Sequence, residues 1–145
     1  MTRIDFHFNV DHRVHYACRV TRKARAAGKR LVVYARSAER LAQYDSMLWT
    51  FSALDFLPHV YVNSPLAGAT PILLALEPAA APSSDVLLTL DDETPPDFKV
   101  LFSRYERVIE VVSRNDEDRA RARVRFKTYR DHGFEPTTFE VAGRE

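Results

Sequence analysis

Leu31-Val32-Val33-Tyr34-Ala35 is an unbroken apolar run of five residues. A strand that faces solvent on one side alternates apolar and polar residues. One with no polar side belongs in a sheet covered on both faces. Helical patterns stand on either side of the run. Upstream, Asp11 can cap a helix in which Val14, Ala17, Cys18, Thr21 and Ala24 share a face, and Gly28 closes it. Downstream, Ser37 caps a helix whose Leu41, Tyr44, Leu48 and Phe51 share a face. A strand between two helices, buried on both faces, predicts an α/β layer architecture.

The same reading extends along the chain. Ile4 to Val10 predicts a first strand, with Phe6 and Phe8 alternating with polar residues. Residues 52 to 70 read as irregular, broken by Pro58, Pro65 and Gly68. Ile72 to Leu76 and Val86 to Leu90 predict two further buried strands, joined by a loop over residues 77–84. Pro95-Pro96 opens a helix to about Tyr105, and Arg107 to Val112 predicts a fifth strand. A long helix spans about Asp116 to Asp131, and Thr137 to Val141 predicts a last strand. The order is βα βα ββα βα β. It predicts a single three-layer α/β domain over residues 1–145, with a mostly parallel or mixed sheet of six or seven strands and helices on both faces.

Composition narrows the function. The net charge is +1, so no global field draws the chain to nucleic acid or acidic membranes, and any charge-driven role needs a local patch. Cys18 is the one cysteine, which excludes an intrachain disulfide and suits the reducing cytoplasm. No stretch is long enough to span a bilayer, and the expectation is a cytoplasmic protein. The fold expected is nucleotide-binding-like, yet none of the four glycines makes a phosphate-binding turn after a strand. A nucleotide-dependent enzyme is therefore disfavoured, and no cofactor is expected. His12, His15 and Cys18 would spread over about 120° of a helix, too wide for one metal. Cys18 reads as a core residue rather than a nucleophile. Asp91-Asp92-Glu93 follows a strand, where α/β enzymes often keep active sites, but reads as a solvated turn. No catalytic residue is expected.

Two surfaces stand out. Ser113 or Asn115 can cap the long C-terminal helix, and Asp116, Glu117 and Asp118 fill its first turn, where the helix dipole favours anions. Arg119, Arg123, Phe126, Lys127 and Arg130 then fall within roughly 100° of arc, with Ala122 and Tyr129 beside Phe126 toward the core. Like charges at that spacing repel, so the stripe is either a solvated helix back or an anion site. The aromatic at its edge suits an acidic peptide with a hydrophobic end. On the second helix Trp49 lies about 80° from the Leu41/Leu48 direction, turned partly out of the core, with Phe56, Leu57 and Pro58 following. An exposed aromatic cluster of this kind favours a protein interface.

The stretch Ala122-Arg123-Val124-Arg125-Phe126-Lys127-Thr128-Tyr129-Arg130-Asp131-His132-Gly133-Phe134 resembles the closing helix of the chi subunit family of bacterial DNA polymerase III. Three other stretches agree in order and spacing. They are Gly28-Lys29-Arg30, then Leu48-Trp49 with Phe56-Leu57-Pro58-His59, then Asp85 to Leu90 with Glu93-Thr94-Pro95. The resemblance implies an adaptor without catalytic activity of its own at the replication fork. One surface would bind the psi subunit of the clamp loader, and in some members a helicase uses it too. Another would bind the acidic C-terminal tail of the single-stranded-DNA-binding protein, so that DNA is met only indirectly. Carried over, the tail site uses Val112, Arg119, Arg123, Phe126 and Lys127, with Arg130 extending the stripe, and the psi site uses Trp49 and Phe56. Arg119 stands where a lysine is common and Phe126 where a tyrosine is frequent. Val60 to Asn63 departs from the family pattern. The alternative is a direct single-stranded nucleic-acid binder using the C-terminal basic helix, against which the near-neutral charge and few visible stacking platforms count.

Overall fold

The computed structural model describes residues 2–51 and 56–142. Seven strands form one sheet: β1 (Arg3–Val10), β2 (Leu31–Tyr34), β3 (His59–Tyr61), β4 (Ile72–Ala75), β5 (Ser84–Thr89), β6 (Tyr105–Ser113) and β7 (Thr137–Glu140). Their order across the sheet is β3-β4-β2-β5-β6-β1-β7, and every pairing is parallel. The central strands β2 and β4 are buried throughout, as their apolar runs require.

Four helices cover the sheet: α1 (Arg13–Ala26), α2 (Ala38–Thr50), α3 (Phe98–Phe102) and α4 (Asp116–Asp131). On one face α1 and α2 pack Tyr16, Ala17, Cys18, Leu41, Tyr44 and Leu48 against Val33, Leu74, Leu88 and Val111. On the other, α3 and α4 pack Leu101, Phe102, Ala122 and Tyr129 against Ile4, Phe6, Val32 and Val108. The expected α/β class with helices on both faces is the fold. Cys18 is buried in the first core, and burial pushes its thiol up to about 12, as for an inert core residue.

The structure corrects four local readings. The irregular segment contains an edge strand, β3, three residues long and paired only to β4. Its shortness hides its period. The helix expected to run to Tyr105 occupies only Phe98–Phe102, because Asp97 sits in the left-handed region at φ 50° and Tyr105 already starts β6. The N-cap of α1 is His12, with no side-chain bond, not Asp11. Asp91 and Asp92 do not form a solvated turn, since Asp91 is buried and both carboxylates hold ion pairs.

Candidate partner-binding surfaces

The first surface is built on α4. Asn115 caps the helix, its side-chain oxygen accepting from Glu117 N at 2.9 Å and Asp118 N at 3.2 Å. The Asp118 carboxylate accepts from Ser113 N at 2.8 Å, and Gly133, at φ 94°, lets the chain leave the helix. The buried residues of α4 are Asp118, Ala122, Arg125 and Tyr129. Two of the four are charged, so the inward face cannot be recognised by hydrophobicity.

Those inward charges are held in a network, which leaves Arg125 Nη2 and Asp118 Oδ1 without a hydrogen bond among the described residues, although Asp118 Oδ1 faces Arg13 at 3.4 Å. Arg125 donates from Nε to Glu110 at 3.0 Å and from Nη1 to the carbonyl of Asp92, and the Tyr129 hydroxyl donates to Glu110 at 2.6 Å. Asp92 in turn meets Arg13 of α1 at 2.8 Å, Arg40 of α2 at 3.0 Å and Arg121 of α4 at 4.0 Å. Burial alone would raise the Asp92 carboxyl, but bonds from Arg13 and Arg40 outweigh it and hold it below the usual range. This carboxylate ties three helices to the end of β5. From β2 the chain runs to β3 at one edge, and from β5 it runs to β6 on the other side, so the crevice beyond β2 and β5 is the topological switch point. Asp91 and Asp92 stand there, where the phosphates of a nucleotide would meet two carboxylates. Sequence reading missed this cluster, because its partners lie far apart along the chain.

The outward face of α4 differs. Arg119, Arg123, Lys127 and Arg130 are all exposed, and none of their side chains has an ion pair or hydrogen bond among the described residues. Phe126 lies at the seam, half-buried, its ring 5.4 Å from that of Phe6. Val112 is buried in the same core cluster. The structure thus places Phe126 between the cationic stripe and the core that contains Val112. Val112 itself is covered, which limits it to lining a pocket from beneath.

The second surface lies at the end of α2. Trp49 is 52% exposed and Phe56 75% exposed, with ring centroids 6.0 Å apart. Trp49 also rests on the ring of His59, 4.1 Å away. His59 is buried, with Nδ1 2.7 Å from the carbonyl of Leu57 and Nε2 2.9 Å from the Asp45 carboxylate. Leu57 turns into the core while its neighbour Phe56 stays outside. A fixed platform therefore holds the two aromatics out of the core. His59 is a contributor that sequence reading quoted only in passing.

Comparison with known proteins decides the family. Residues 1–137 match the family described as DNA polymerase III chi subunit, HolC. The chain belongs to the DNA polymerase III chi subunit family. It is similar to DNA polymerase III subunit chi of Pseudomonas aeruginosa, 28% identical over 92% of this chain and 93% of that one. The chi subunits of Haemophilus influenzae and Escherichia coli are each 27% identical, covering 86% and 83% of this chain and 85% and 80% of theirs. Chi-family membership links the chain to DNA replication and to the DNA polymerase III holoenzyme. In fold, the C-terminal domain of the DEAD-box protein Dbp5 superposes at a TM-score of 0.66 with 9% identity, covering 98% of this chain and 91% of that domain. A second Dbp5 C-terminal domain, from S. cerevisiae, gives 0.62 with 8% identity, covering 97% and 90%. These likenesses concern the α/β fold alone. Among the described residues no helix of the chi-family chain is long and apolar enough to cross a membrane.

Proposed function

We propose that this chi-family chain is a non-catalytic adaptor that joins the clamp loader to the single-stranded-DNA-binding protein. The observation that carries the reading is the unpaired state of Arg119, Arg123, Lys127 and Arg130 beside the half-buried ring of Phe126. A solvated helix back usually pairs its charges along the helix, as Arg121 does with Glu117 at 3.4 Å. Four cations left unpaired in one stripe keep their donors free for an anionic partner. An acidic C-terminal tail that ends in an apolar residue would place its carboxylates on the stripe and its end against Phe126, over Val112. The Trp49/Phe56 platform fits an apolar partner, and psi is the partner assigned to it, with a helicase as an alternative occupant. The adaptor works within the cytoplasm, at the fork.

The test is a titration of the chain with a short acidic tail peptide, followed by the full single-stranded-DNA-binding protein with and without its tail. Micromolar binding, about −8 kcal/mol, is expected for the peptide and for the full partner, and none once the tail is deleted. Equal affinity for the tail-deleted partner would show that the tail does not dock, and would favour direct nucleic-acid binding by the α4 stripe.

A further inference from the structure

Helical cover on the α1/α2 face stops short of the β7 edge. Register places Asp5 of β1 beside Thr137 of β7, and His7 beside Phe139. Between these strands and the flank of α1 lies a groove of about 990 Å³. Its floor is aromatic. The rings of His7 and Phe139 are 5.3 Å apart between centroids, and Phe139 is 44% exposed. The Tyr16 hydroxyl hydrogen-bonds His7 Nδ1 and fixes that ring. Burial, helped by the nearby Arg107 charge, brings His7 down to about 4, so the ring is uncharged at neutral pH.

The walls are cationic. The acids that line the groove are Asp5, Asp85 and Glu106. Asp5 is held by Arg107 at 2.8 Å, Asp85 by the Arg30 backbone N–H at 2.8 Å, and Glu106 lies 3.9 Å from Lys29. The side chains of Arg19 and Lys23, one helical turn apart on α1, have neither an ion pair nor a hydrogen bond among the described residues. The groove therefore presents two unpaired cationic side chains beside the half-exposed Phe139 ring, with the His7 ring tilted 43° against it.

We propose that this groove binds single-stranded nucleic acid, with a base stacked on Phe139, the tilted His7 ring closing its edge, and the backbone phosphates on Arg19 and Lys23. Aromatics on an open sheet face, flanked by cations, are the means by which single-strand binders hold bases without reading sequence. An acidic peptide would use the cations but leave the paired rings without a role. The groove lies on the opposite sheet face from α4, so this inference does not rest on tail docking and fails separately from it.

Fluorescence anisotropy with a labelled oligodeoxythymidine of about 16 nucleotides tests the assignment at low salt. Two free cations predict a slope of log K against log salt near −1.4, since each phosphate contributes about −0.7 on a single strand. The double variant Arg19→Glu/Lys23→Glu should lose at least about tenfold in affinity, and Phe139→Ala about tenfold. Lys23 and Phe139 are exposed and Arg19 is half-buried, and an unchanged circular dichroism spectrum confirms folding. Arg123→Glu on α4 should leave oligonucleotide affinity unaltered. The proposal is overturned by absent binding at low salt, by loss through Arg123→Glu instead, or by a silent Phe139→Ala with polyglutamate competing as well as the oligonucleotide. The last result would make the groove a site for acidic peptide.

Discussion

Arg125 and Glu110 form an ion pair 3.0 Å long in which each side chain is 1% exposed. The pair joins α4 to β6 beneath the helix whose outward face carries unpaired cations. One helix thus sorts its arginines by face. Arg121 and Arg125 turn toward acids at the sheet end, while Arg119 and Arg123 face solvent. Desolvating two charges is costly, and only well-aligned partners offset it, which the Tyr129 hydroxyl on Glu110 helps to achieve.

Breaking that pair should be expensive. Glu110→Gln leaves a buried guanidinium without its counter-charge and should destabilise the chain by about 3 to 5 kcal/mol. The double replacement Glu110→Leu/Arg125→Met removes both charges and should recover most of the loss. Urea unfolding measures both, and a cost below about 1 kcal/mol for Glu110→Gln would mean that the pair does not anchor α4.

Trp49→Ala should behave in the opposite manner. The side chain is half exposed and rests on His59, so unfolding free energy should fall by no more than about 1 kcal/mol. Affinity for psi, the partner proposed for this platform, should fall by about 2 kcal/mol or more, as for a central aromatic anchor. Calorimetry on the purified pair separates the two effects. Severe unfolding would make Trp49 a structural residue instead.

The sheet was legible where apolar runs were long. Leu31 to Ala35 and Val86 to Leu90 announced two-sided burial, and the stripe on α4 followed from helical spacing alone. Three features were hidden, each for a physical reason. Strand β3 has three residues, too few to display a period. The inward face of α4 includes Asp118 and Arg125, so its polarity resembles a solvent face until Glu110 and Arg13 are brought to it by the fold. The ring pair of His7 and Phe139 forms only through strand pairing between the two ends of the chain. Side-chain partners that lie far apart in sequence leave no local pattern.

Acid should erode stability in two stages. His7 is depressed from 6.5 to about 4, so the unfolded chain binds a proton more readily between those values, and stability falls as pH drops from about 6.5 toward 4. Asp5 and Asp92 are also depressed, from 3.8. Burial opposes this, but hydrogen bonds from Thr137, Arg3 and Arg107 to Asp5, and from Arg13 and Arg40 to Asp92, prevail. Their stabilisation is complete above about 4 and is lost below it. Unfolding free energy followed against pH should show both stages, and His7→Gln should abolish only the first.

The surface proposed for the tail can be resolved into its ionic and apolar parts by salt. Arg123 is exposed and unpaired, so Arg123→Ala should cost about 1 to 2 kcal/mol of tail affinity without affecting the fold. That cost should shrink as salt rises, because a surface pair is screened over about 8 Å at physiological ionic strength. Phe126 packs on Phe6 as well as edging the stripe, so Phe126→Ala should lower stability by about 2 kcal/mol in addition to weakening the tail. Its effect on affinity, measured below the unfolding range, should be similar in size to that of Arg123→Ala but nearly independent of salt, since apolar burial is not screened. Isothermal titration of each variant at low and high salt reads both terms. Parallel salt dependence in the two variants would mean that the ring supports the helix and does not touch the tail.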